Sequence, residues 1–95
     1  MRLRPIHPGE ILKEDLADIG VSATELARAL RVPPNRVTRI IRGQQSITAD
    51  SALRLAHWFG SSAQYWLNLQ RNYDLALAER AIGHTLKQLP RRKAA

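Results

Sequence analysis

Apolar residues along this chain recur at spacings of three and four, the rhythm of helices with one buried face, and glycines and prolines interrupt them. Leu12, Leu16 and Ile19 form a first stripe, predicting a helix from Pro8 to about Ile19 that closes at Gly20. Ala23, Leu26, Ala27 and Leu30 form a second, opened by Ser22 and Glu25 at capping-box spacing. Pro33 cannot continue a helical ladder, whereas Pro34 fits the first position of a new helix, where no N–H partner is lost. That third helix, Pro34 to about Arg42, carries Val37, Ile40 and Ile41 on its inner face and stops at Gly43. Thr48 is a good N-cap for a fourth helix, with Ala52, Leu53, Ala56 and Phe59 as its stripe and Gly60 at its end. Ser62 caps a fifth, whose stripe is Trp66, Leu69, Tyr73 and Leu77, and Gly83 is expected to end or break it. The pattern predicts an all-α chain of five helices with an extended C-terminal one. Its parts are an arm (1–7), one helical domain (8–82) and a basic tail (83–95).

The polar positions give that frame a purpose. Stepping about 100° per residue puts Asn35, Arg39 and Arg42 opposite the buried face of the third helix, flanked by Arg36 and Thr38. Between Glu25 and Asp50 there is no acid, while Arg28, Arg31, Arg36, Arg39 and Arg42 fall inside that window. Two short helices joined by a tight turn, the second loaded with Arg and Asn, describe a helix-turn-helix whose second helix enters the DNA major groove. The competing reading is a helical hairpin with a merely solvated basic face. Composition favours DNA: 15 Lys and Arg against 8 Asp and Glu, a net charge of +7 and a pI near 11.1 call for a polyanionic partner. Asn pairs well with adenine and Arg with guanine, so Asn35 and Arg39 are expected to read bases and Arg36 and Arg42 to anchor phosphates.

Two further patterns bear on partners. Glu10, Glu14 and Asp18 recur at every fourth position of the first helix and Asp15 stands beside them, which places four of the eight acids there. The helix dipole accounts for Glu10, but like charges four apart repel. Glu14, Asp15 and Asp18 are therefore either a solvated face or a docking surface for a basic partner. On the fifth helix Leu67, Leu75 and Ile82 lie off the core stripe, and a helix apolar on two sides is buried on two sides. A second copy of the chain is the economical cover. Trp66 and Tyr73 keep core spacing and read as packing residues rather than platforms for bases.

Catalytic signals are missing. The chain has no cysteine, no HExxH, no glycine-rich phosphate loop and no nucleophile elbow, and His7, His57 and His84 are too scattered for a metal set. Capping or surface roles suit those histidines, and no enzyme activity, metal or cofactor is expected. No apolar run reaches membrane-spanning length and no signal-peptide core opens the chain, so a cytoplasmic protein without membrane contact is expected.

Several segments together carry a family resemblance. His7-Pro8-Gly9-Glu10-Ile11-Leu12, Thr24-Glu25-Leu26-Ala27, Val37-Thr38-Arg39-Ile40-Ile41-Arg42-Gly43, Ser46-Ile47-Thr48-Ala49-Asp50 and Tyr65-Trp66-Leu67-Asn68-Leu69-Gln70 resemble the HigA-type, VapI-like antitoxins. That family lies in the Cro/C1-type, lambda-repressor-like helix-turn-helix superfamily, and the similarity covers about residues 6–78. It implies a homodimer that binds its own double-stranded operator DNA and neutralises a RelE/HigB-like messenger RNA endonuclease. A stand-alone repressor without a toxin is the alternative. The resemblance puts Pro34, Asn35, Arg36, Thr38 and Arg39 against bases. Two departures stand out: Arg31 occupies the usual turn glycine, where it can aim at a phosphate, and Pro33-Pro34 replaces Ser-Arg or Ser-Gln.

Overall fold

The computed structural model describes residues 4–93, so residues 1–3 of the arm and 94–95 of the tail lie outside it. Five helices follow in order: α1 (Pro8–Ile19), α2 (Ala23–Leu30), α3 (Pro34–Ile41), α4 (Ala49–Phe59) and α5 (Ala63–Leu86), with no strand among the described residues. Most begin on the capping residues the sequence offers. Glu25 N–H donates to Ser22 Oγ (3.1 Å) and Ser22 N–H donates back to Glu25 Oε1 (3.4 Å). Thr48 and Ser62 accept from the N–H groups of Ser51 and Tyr65.

The start of α1 is built more tightly than its pattern required. Gly9 N–H donates to His7 Nδ1 (2.8 Å), and His7 N–H donates to the Glu10 carboxylate (3.3 Å). Arg4 grips both Glu10 oxygens at 2.6 and 2.8 Å and holds that carboxyl at about 2, below its ordinary range. A Cβ on Gly9 would stand 1.8 Å from the Ile40 carbonyl oxygen, so the absent side chain is what lets α1 rest on the backbone of α3. The buried His7 ring meets Tyr73 of α5 edge-on, with centroids 4.9 Å apart, and burial pushes its pKa down. His7, Gly9 and Glu10 thus tie α1 to the arm, to the exit of α3 and to α5.

Leu12, Leu16, Leu26, Val37, Ile40, Leu55 and Trp66 form the centre of one continuous core, each large side chain contributing about 1.5–3 kcal/mol by leaving water. Trp66 packs against Phe59 and Tyr65, which supports the reading of Trp66 and Tyr73 as packing residues. Three expected core positions turn outward. Ile19 is the last residue of α1 and lies half exposed. Leu53 is 64% exposed, because the stripe that α4 buries is Ala52, Leu55 and Ala56 with Phe59 half-buried behind them, one step round from Leu53. Leu77 is exposed where α5 has run past the body of the domain.

Gly83 does not end α5. The helix continues through it to Leu86, because one glycine in a helix interior costs only about 1 kcal/mol and carries no left-handed turn here. The chain leaves the helix through a turn at 87–89, ahead of Pro90, which cannot continue a helical ladder. The 24 residues of α5 make a rod of about 36 Å, which accounts for much of the 52 Å long axis.

Candidate nucleic-acid interface

The turn between α2 and α3 is set by one residue. Arg31 adopts φ 58°, ψ 46°, the left-handed conformation a glycine would take at no steric cost, and is the one non-glycine with positive φ among the described residues. Val32 N–H then bonds back to the Ala27 carbonyl (3.0 Å), which closes α2 and turns the chain into Pro33-Pro34. The Arg31 side chain is exposed beside the hairpin.

α3 offers a graded outward face. Pro34, Asn35, Arg39 and Arg42 are exposed, with Arg42 as the C-cap one residue beyond the helix. Thr38 is half-buried, and its hydroxyl lies over the carbonyls of Asn35 (3.3 Å) and Pro34 (3.4 Å), a back-bond that occupies its donor. Arg36 flanks the outward face, as its spacing predicts. It is half-buried and turns to Asp50, in the first turn of α4, with which it forms an ion pair. The same Asp50 Oδ2 accepts from Arg54 Nε at 2.9 Å, and Arg54 Nη1 donates to the Leu30 carbonyl at 2.6 Å. Hydrogen bonds from Arg54 and Arg36 hold the Asp50 carboxyl below its usual range. One carboxylate thereby joins α3 and α4 and, through Arg54, the end of α2.

The loop beyond α3 is anchored from α5. Ile47 N–H donates to Oε1 of the buried Gln70 (2.8 Å), whose amide donates to Asp74 (2.9 Å). Gly9, Asp50 and Arg54 support α3 and Gln70 the loop beyond it, and none of them was given a supporting role from the sequence. Signals existed for three of them. A glycine inside a first helical turn, where no positive φ is needed, points to close backbone approach. Asp50 and Arg54 sit four apart, and Asp50 is the sole acid between Glu25 and Asp74.

The other candidate residues fall elsewhere. Glu14 and Asp18 are exposed on α1 and Asp15 is half-buried, while Glu10 is taken by Arg4. Leu67 packs against the core of its own chain and so is only partly available to a partner. Leu75 and Ile82 are 53% and 48% exposed, Leu86 extends their line by a step of four, and Leu89 is exposed in the turn beyond the helix. Among the described residues no helix is long and apolar enough to cross a membrane.

Comparison with known proteins agrees with this geometry. The Helix-turn-helix family model matches residues 12–66. Virulence-associated protein I of Dichelobacter nodosus is 57% identical over 75 residues, spanning 78% of this chain and 69% of that protein. An addiction module antidote protein of the HigA family from Coxiella burnetii superposes with a TM-score of 0.92 at 48% identity, over 96% of this chain and all of that one. The Pseudomonas aeruginosa antitoxin HigA, solved with the higBA promoter, superposes with a TM-score of 0.90 at 44% identity, again over 96% of this chain and all of its own. With its hairpin, its five helices and its α1 signature accounted for residue by residue, this chain belongs to the Cro/C1-type helix-turn-helix family, in the branch of the HigA antitoxins.

Proposed function

We propose that this protein is a cytoplasmic, non-enzymatic antitoxin that binds its own operator as a two-fold dimer, represses its operon and neutralises a RelE/HigB-like messenger RNA endonuclease. The observation that carries the reading is the outward face of α3. Asn35 and Arg39 stand exposed on a helix held by α1, α2 and α4, with Arg42 exposed at its C-cap. A reading helix must present side chains in fixed register, because base contacts are bidentate and tolerate little misplacement. That the Pseudomonas aeruginosa HigA was solved with its promoter supports the same use of α3 here.

Within this reading Asn35 and Arg39 contact base edges, and Pro34 offers an apolar edge to a thymine methyl. Arg31 and Arg42 anchor phosphates on either side. The exposed line of Leu75, Ile82 and Leu86 on α5 covers a second copy, placing two reading helices about one helical turn of DNA apart. The toxin must carry a basic surface for RNA, so Glu14, Asp15 and Asp18 on α1 suit it. They lie on a different helix from the reading arginines, which leaves the DNA face open.

Titration of an operator set at several salt concentrations tests the core of the proposal. Arg39→Ala should lose about 1–3 kcal/mol of discrimination at one position of each half-site. Arg42→Ala should weaken all sequences alike and lower the salt slope by about one. Identical specificity profiles for Arg39→Ala and wild type would refute the assignment. For the toxin, Glu14→Lys with Asp18→Lys should abolish neutralisation while operator binding is kept. A double variant that still neutralises with unchanged affinity returns those acids to a solvated face.

A further inference from the structure

Asp50 is the sole carboxylate between Glu25 and Asp74, and it stands where α4 begins, against the first turn of the reading helix. An acid near a DNA-binding face repels phosphates, so its presence there needs a reason. Its surroundings supply one. Asp50 accepts from Arg36 of α3 and from Arg54 of its own helix, and Arg54 reaches the last carbonyl of α2. The side chains of Arg36, Arg54 and Asp50 are 32%, 40% and 55% exposed, so the cluster is open to water and to anything docked on α3. An ion pair in such a place contributes little to folding. Its effect is on what Arg36 does: a guanidinium between the base-reading positions Asn35 and Arg39 is occupied by a carboxylate.

We propose that Asp50 is a specificity-determining positioning residue: it makes Arg36 a strut between α3 and α4 and keeps that arginine from serving as a phosphate ligand. Two consequences follow from the different demands of specific and non-specific binding. Non-specific affinity is almost wholly phosphate contact, so an arginine withheld from phosphates lowers it on every duplex. Base reading depends on the orientation of α3, which the strut fixes relative to α2 and α4, so operator binding is spared part of that loss. Asp50 therefore widens the gap between operator and random DNA.

The proposal rests on the DNA-binding reading of α3 and is tested with the intact protein on operator and random duplexes of equal length, from about 50 to 200 mM salt. Asp50→Asn keeps the side-chain shape and removes the charge. It should raise random-duplex affinity at low salt several-fold and steepen the salt slope by about 0.9, equivalent to an extra 3–4-fold loss of affinity across that salt range. Operator affinity should rise less, so the specificity ratio falls. Adding Arg36→Ala to Asp50→Asn should return the slope to that of wild type. Arg36→Ala alone should leave the random-duplex slope unchanged, a readout that does not depend on the folding of the Asp50 variant. A slope lowered by about one in Arg36→Ala would show that Arg36 already holds a phosphate and would overturn the proposal, as would an unchanged slope and ratio in Asp50→Asn. A wild-type protein with no preference for operator over random DNA would overturn the function proposed above and this inference together.

Discussion

α3 and the second half of α5 are opposites. α3 is eight residues long, and every side not facing outward is in contact: Val37 and Ile40 in the core, the Ile40 carbonyl under Gly9, Arg36 against Asp50. Past Tyr73, α5 runs on for more than three turns with Leu75, Leu77, Ile82 and Leu86 in solvent. So short a helix is marginal on its own, and packing keeps it in place. The long helix can persist by its own hydrogen bonds, yet it leaves apolar surface uncovered. The first arrangement suits a part that must hold its register against a rigid duplex. The second suits a part completed by another molecule.

The largest effect should come from charging the uncovered end. Leu75→Glu with Ile82→Glu puts two unpaired carboxylates per chain into the proposed interface, which costs several kcal/mol of association. Sedimentation should show a folded monomer with much weakened operator binding, and an unchanged dimer would move the interface elsewhere. One substitution made in both regions sharpens the contrast. Gly9→Ala drives a methyl into the Ile40 carbonyl and should cost about 2–3 kcal/mol, seen as a lowered Tm. Gly83→Ala meets nothing within 4 Å in a helical backbone and should raise stability by about 0.4–1 kcal/mol. Equal responses at the two glycines would erase the distinction drawn here. A change of similar size concerns the turn. Arg31→Gly relieves a left-handed side chain and should stabilise the fold by about 0.5–1 kcal/mol while reducing the salt slope of DNA binding by about 0.9. A gain in stability with an unaltered slope would leave Arg31 without a phosphate.

Much of this architecture was legible because the signals are local. Ser22 with Glu25, Thr48, Ser62, and the glycines at 20, 43 and 60 act within a few residues, so start and stop points could be placed before any packing was known. Gly83 misled for the same reason: a stop signal is only a cost of about 1 kcal/mol, and an otherwise favourable helix runs through it. Leu53 and Ile19 misled because apolar spacing describes a face without saying which neighbours cover it.

By itself the sequence determined the five helices, the hairpin and the basic outward face of α3, since periodicity, capping and charge are properties of short stretches of chain. Only the tertiary structure decided what holds that face in place. Asp50 and Arg36 are 14 residues apart, Gly9 and Ile40 are 31, and Gln70 and Ile47 are 23. Such pairs are created when helices dock, and each leaves at most a faint mark in sequence: a lone acid in a basic stretch, or a glycine with no turn to make. Tertiary structure also separated Leu67, covered by its own core, from Leu75 and Ile82, which are not. Helical spacing along one element cannot make that distinction, because it depends on where the rest of the domain ends.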